Sequence, residues 1–151
     1  MPFTGAPDTI SGREGRIVYK QTGQTPVVLA YAKNINATFD KQVQDVNILG
    51  QRATQHKATG WSGSGTMTLY KATTRFRRII AQYINTGQDL YFDLQVENND
   101  PTSKTGKEMV TLRSCNIGTG VLASLDADNA VLDEELAFTY DGYSIDSAFT
   151  D

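Results

Sequence analysis

Residues Asp45 to Gly87 read DVNILGQRATQHKATGWSGSGTMTLYKATTRFRRIIAQYINTG. This stretch holds every kind of local signal the chain contains. It leaves a weak strand pattern, Val43–Leu49, with Val46 and Ile48 on one side. It then crosses a polar segment carrying Gly50, Gly60, Gly63 and Gly65. Alternation resumes at Thr66–Lys71, with Met67 and Leu69 facing one way and Thr66, Thr68 and Tyr70 the other. The last part changes period. Phe76, Ile79, Ile80, Tyr83 and Ile84 fall at helical spacing and form one apolar stripe. A helix is therefore expected over residues 73–86, opened by Thr73 or Thr74 as a cap and closed by Gly87 at C′. Gly50–Gly65 is expected to be a long loop, of the length that is usually functional or disordered.

Outside this stretch the chain reads as strands. From Val27 to Phe39 the odd positions are Val, Leu, Tyr, Lys, Ile, Ala and Phe, apolar except Lys33, while Asn34, Asn36 and Thr38 mark a polar side. A shorter strand is expected at Arg16–Lys20. Leu90, Phe92, Leu94 and Val96 alternate with Tyr91, Asp93, Gln95 and Glu97. Glu108–Val121 follows after the turn-rich 98–107, with Gly118 and Gly120 expected to bend it. In Val131–Asp141, Leu132, Leu136, Phe138 and Tyr140 point inward, and Asp133, Glu135 and Asp141 point outward. Glu134 interrupts the inward row. Six to eight strands joined by turns, with a single helix, predict a mainly β, antiparallel barrel or sandwich with one amphipathic helix packed against it.

A length of 151 residues suits a single domain, 1–151, with its own core. Charged residues are 21% and apolar residues 39%, which excludes a disordered chain. No apolar run reaches the roughly 18–20 residues that span a bilayer, and no secretory leader is expected at MPFTGAPDTISGREG. Residues 1–12 read as an extended arm. The lone Cys115 excludes an internal disulfide and reads as a small buried residue. The net charge of −3 hides an asymmetry. Residues 1–88 hold eleven Lys/Arg against four acids, and residues 89–151 hold three against 13. Halves of +7 and −10 in one small fold suit head-to-tail association of identical subunits.

No catalytic constellation emerges. His56 is the sole histidine, so no metal or cofactor site is expected. The serines of GWSGSG lack the strand–turn–helix setting of a hydrolase elbow and the lysine of a phosphate loop. Arg75, Arg77 and Arg78 crowd the helix start, where cations oppose the helix dipole, which hints at a partner for them. Specific nucleic-acid binding is not expected, because no aromatic platform accompanies these arginines. Trp61 and Tyr70 leave a carbohydrate-binding sandwich as a distant alternative.

The segment NILGQRATQHKATGWSGSGTMTLYKATTRF (47–76) resembles the tail tube proteins of the PBSX/XkdM type, found in contractile phage tails and related particles. TISGREGR (9–16), VTL (110–112), LASLDAD (122–128) and LDEELAFTYD (132–141) carry the same resemblance, in order and at similar spacing. It implies a non-enzymatic virion protein with the tail-tube fold, assembled in the host cytoplasm. Six copies would form a ring with a continuous inner barrel, and stacked rings would make a tube that conducts DNA without binding it specifically. Sheath, baseplate or initiator, and tape-measure proteins would be its partners. A tube or carrier of the type VI secretion kind is the alternative. On this reading residues 40–65 are a long assembly loop whose ring or stack contacts involve Arg52, His56, Lys57 and Trp61. Arg75, Arg77 and Arg78 form the outer helix face. Asp93, Glu97, Asp133, Glu135 and Asp141 are the candidates to line the lumen, where negative charge would let DNA slide.

Overall fold

A computed structural model describes residues 15–29, 32–71, 74–99, 106–123, 125–128 and 132–148. The expected N-terminal arm and most of the 98–107 connection lie outside these. The elements are β1 (Gly15–Lys20), β2 (Val27–Val28), β3 (Ala32–Val46), β4 (Gln55–Tyr70), α1 (Arg75–Thr86), β5 (Phe92–Asn99), β6 (Lys107–Thr119), β7 (Asp133–Tyr140) and β8 (Gly142–Ser147). All pairings are antiparallel, in the order β2-β1-β5-β6-β7-β4-β3, with β8 also on β6. The sheet is open, with the sandwich character expected from the pattern.

Two bends fold this sheet around its core. β7 and β8 run as one line alongside β6, and the Asp141 amide between them donates to the Arg113 carbonyl at 3.2 Å. β6 departs from strand geometry at Ser114, which takes φ +55°. The Asp93 carboxylate holds that kink by accepting from the Ser114 amide at 3.1 Å. The bend therefore precedes the expected glycines, although Gly118 does lie at a register shift between Ile117 and Thr119. Beyond it, β6 leaves β5 and continues as the fourth strand beside β7, β4 and β3.

The inward residues of both halves meet in one cluster: Ile17, Tyr19, Met67, Leu69, Leu94, Leu112, Leu136 and Phe138 among them. Helix α1 closes it with Phe76 and Ile79. The Tyr19 ring meets Phe76 edge-on at 5.8 Å and Phe92 at 5.0 Å. Burying two such side chains contributes about 1.5–3 kcal/mol each, enough to dock a short helix that is marginal alone. Gly87 ends it at φ +75°, its amide bonded to the Tyr83 carbonyl at 2.9 Å. Thr74 occupies the N-cap without a side-chain bond, so the helix start owes its place to packing. The apolar stripe is buried only in its first half, and Tyr83 and Ile84 are 55% and 60% exposed.

The largest departure from the sequence reading is the segment 50–65. Residues 55–65 are strand, and only 47–54 connect β3 to β4. The glycines here serve packing. A Cβ on Gly63 would lie 2.5 Å from the Tyr140 ring, and one on Gly65 would lie 2.7 Å from the Phe138 ring and 2.6 Å from the Asn36 carbonyl. Aromatic rings of β7 fill the space where side chains of these two residues would stand.

Candidate assembly surface

The β3–β4 hairpin pairs from Ala32/Leu69 to Val46/Gln55. Its base is covered by β7 only as far as Gly63/Tyr140. Beyond that point both strands project without a further strand beside them among the described residues. Among the described residues, the outer side of β3 carries no strand along its whole length of 15 residues. Unpaired edges of this length invite pairing with another chain.

The two faces of the hairpin differ in chemistry. One presents Asn34, Asn36, Thr38, Asp40 and Gln42 opposite Thr68, Thr66, Ser64, Ser62 and Gly60. β7 extends this face with Asp133, Glu135, Ala137 and Thr139. Small hydroxyl and amide side chains with scattered carboxylates make it polar, without an apolar anchor. Lys33 and, further out opposite Gln44, Lys57 are its basic members. Lys33 Nζ bonds Asp133 Oδ2 at 2.8 Å and stands 5.3 Å over the Tyr70 ring. That hydrogen bond, with the Asp133 charge, raises the Lys33 pKa.

The opposite face continues the core outward. Ala37, Phe39, Trp61, Tyr140 and Tyr143 line a groove of about 540 Å³. It opens where β8 turns away from β4. Tyr140 is its floor, with 8% exposure, its hydroxyl donating to the Thr38 carbonyl at 2.7 Å and its ring 6.0 Å from Trp61. Phe39, Trp61 and Tyr143 are 65%, 45% and 52% exposed. Exposed apolar groups contiguous on one face mark interaction surfaces.

The candidate residues distribute unevenly over this frame. Arg52 lies in the hairpin connection, and His56 and Lys57 lie on β4, all exposed. His56 Nδ1 pairs with Asp45 Oδ1 across the hairpin at 2.7 Å. Trp61 lies on the apolar face, well away from that tip. Asp133, Glu135 and Asp141 are exposed. Glu97 is not: it is buried and bridged by Arg16 at 2.8 Å and Lys107 at 3.5 Å, so its charge is spent inside the subunit. Asp93 is likewise occupied at the Ser114 kink. The outer helix face also needs correction. Arg77 turns inward to an ion pair with the buried Glu134, with side chains 17% and 4% exposed, and Arg75 stacks 5.2 Å from the Tyr19 ring. Arg78 alone of the three is exposed. The partner hinted at by the crowded arginines is thus the glutamate that breaks the inward row of β7. Reading those two oddities together would have found it.

Two further polar groups stand apart from the hairpin. Asp146 accepts from the Thr111 hydroxyl, which holds its carboxyl below the usual value with help from Gln95 and Ser144. Cys115 is fully buried, and burial pushes its thiol up to about 12. Among the described residues no group of three His, Cys, Asp or Glu is placed to hold a metal ion, and no helix is long and apolar enough to cross a membrane.

Comparison with known proteins gives a consistent picture. A family model described as phage tail tube protein matches residues 3–146. The phage-like element PBSX protein XkdM of Bacillus subtilis (strain 168) is 39% identical over 146 residues, covering 97% of this chain and 96% of the relative. A solved Bacillus subtilis protein is 38% identical, covers 95% of this chain and 99% of its own, and superposes with a TM-score of 0.53. A chain of the anti-feeding prophage baseplate, solved with six-fold symmetrisation, shares the fold at a TM-score of 0.66 and 12% identity, covering 96% of this chain and 95% of that one.

Proposed function

This chain belongs to the phage tail tube protein family, and we propose that six copies close head to tail into a ring, that rings stack into the inner tube of a contractile tail, and that DNA passes through the lumen. As a member of that family it is a structural component of the virion tail. The observation that carries the finer reading is the hairpin: a strand edge of 15 residues without a partner among the described residues, with one polar and one apolar face. Closure into a ring removes that edge by pairing it. The four strands at this end of the sheet, β3, β4, β7 and the last residues of β6, would contribute 24 strands to a six-fold barrel. At about 4.8 Å spacing and a tilt of about 40°, such a barrel has a backbone diameter of about 48 Å. With side chains inside, that is a bore wide enough for a DNA duplex.

The polar face then lines the bore. Its carboxylates, Asp40, Asp133, Glu135 and Asp141, outnumber Lys33 and Lys57, so phosphates meet a weakly repulsive wall without a cluster of cations to hold them. The hairpin tip with Arg52, His56 and Lys57 extends past the rest of the sheet, in position to reach the next ring. Arg78 faces away from the core and suits contact with the sheath. Baseplate or initiator and tape-measure proteins would meet the ends and the bore of the tube. No step of this role calls for catalysis. The test is negative-stain electron microscopy of the purified protein across a concentration series, with light scattering in parallel. Rings or hollow tubes of uniform diameter are expected. Monomers alone, even when seeded with pre-formed tube ends, would refute the reading.

A further inference from the structure

The groove at Phe39 and the exposed end of α1 lie toward opposite edges of the same sheet layer, both on its apolar face. β3 forms one side of the four-strand layer, and β6 forms the other. Alongside the last residues of β6 runs α1: Ile79, Ile80 and Tyr83 line a hollow with Asn116, Ile117 and Gly118. A Cβ on Gly120 would touch Ile80 at 2.6 Å. The helix leaves Tyr83 and Ile84 uncovered at its C-terminal end. From the head-to-tail ring we infer that the Tyr83–Ile84 end of α1 in one copy docks into the Phe39–Trp61–Tyr143 groove of the next. The inference rests on the ring reading and names the contact that seals it on the side away from the lumen.

Charge fits this occupant. Lys41 is the cross-strand partner of Trp61 and shares its face. Helix α1 has no basic residue in its last turn, so its C-terminal carbonyls lack a cation of their own. Asp89, just beyond, is exposed. Lys41 of the adjacent copy would supply the missing positive charge at the negative end of the helix. Topology fits as well. Bringing β3 of one copy beside β6 of the next carries that copy's α1 under the projecting hairpin, because both lie on the same face. The groove is also a direct extension of the core through Phe138 and Tyr140, whose rings are 6.4 Å apart. An apolar guest therefore completes a layer that α1 covers only at the other end of its own subunit.

Paired cysteines test this in assembled tubes. Val43 shares the groove face with Phe39 and is 52% exposed. Tubes of the Val43→Cys/Ile84→Cys variant, oxidised and run without reductant, should give a ladder of covalent multimers. Either single variant should run as monomers, since the native Cys115 is buried. Tubes that form but give no ladder overturn the contact while leaving the tube reading intact. Failure of the unmodified protein to form tubes at all overturns both. If the cysteine pair itself blocks assembly, a charge exchange decides. Phe39→Lys and Ile84→Asp should each abolish tubes without lowering the melting temperature of the subunit, and combining them in one chain should restore tubes. A combined variant as defective as the single ones overturns the contact.

Discussion

Replacing Arg77 with methionine should be among the most damaging single changes to the subunit. Glu134 is 3% exposed and belongs to the inward row of β7, between Leu132 and Leu136. Arg77 supplies its counter-charge, and the two side chains are almost wholly out of water. Removing one member of such a pair leaves an uncompensated buried charge, which costs about 3–5 kcal/mol. Unfolding entropy of about 2.1 cal/mol/K per residue gives about 0.3 kcal/mol/K for a chain of this length, so the midpoint should fall by about 10–15 °C. Urea titration of the isolated subunit at neutral pH measures the free energy, and calorimetry measures the midpoint. The double variant Arg77→Met/Glu134→Leu removes both charges and should recover most of the loss, because the pair itself contributes little net stability once its desolvation is counted. A single variant that costs under about 1 kcal/mol, or a double variant as unstable as the single, would refute the view that this pair is a buried charge and its obligatory partner.

Three other outcomes follow from the same structure. Gly65→Val should destabilise the subunit by about 1–3 kcal/mol through overpacking, since the space belongs to the Phe138 ring and the Asn36 carbonyl; urea midpoints should show it, with Ser64→Val nearly silent. The Cys115 thiol stays protonated in the folded chain up to about 12 but ionises near 9 when unfolded. The folded state then holds the extra proton, so its contribution is complete below about pH 9 and is lost as pH rises from there toward 12. Melting temperatures should fall more steeply over that window than in Cys115→Ala, and the native thiol should resist alkylation at pH 8. Finally, tubes carrying Asp133→Lys and Glu135→Lys should retain added DNA in co-sedimentation, whereas unmodified tubes should not, the difference shrinking with salt; equal retention would remove these residues from the lumen.

Much of the fold was written in period. The alternation of Leu90–Val96 and Leu132–Tyr140 identifies strands because a half-buried sheet needs side chains of opposite character on its two faces, whereas Val27–Phe39, read as one strand, is divided between β2 (Val27–Val28) and β3 (Ala32–Val46) at opposite ends of the strand order. The helix was equally plain, from the stripe at Phe76 to Ile84 and from Gly87. What misled was glycine. Gly60, Gly63 and Gly65 read as loop because their usual effect is to loosen the backbone, and the rings that fill the space over Gly63 and Gly65, Tyr140 and Phe138, lie more than 70 residues away in sequence. Charge misled for a similar reason. Arg77, Glu97 and Asp93 look like surface groups in sequence, and the partners that draw them inward, Glu134, Arg16 and the Ser114 amide, are set by strand register, which local pattern does not encode. The helix stripe fails in its second half because no layer among the described residues covers Tyr83 and Ile84. Periodicity records that a residue needs burial, and is silent on which chain supplies it.

Hydrogen exchange on β3, compared between isolated subunits and assembled tubes, reads out whether this edge closes the ring. In the subunit the outward amides of Ala32–Val46 lack a strand partner among the described residues and should exchange quickly. Assembly should protect them, residue by residue along the edge, while the amides of β1, already paired to β2 and β5, change little. Tubes in which the outward amides of β3 exchange as fast as in the free subunit would mean that the ring closes through some other surface, and the role assigned to the hairpin would be wrong.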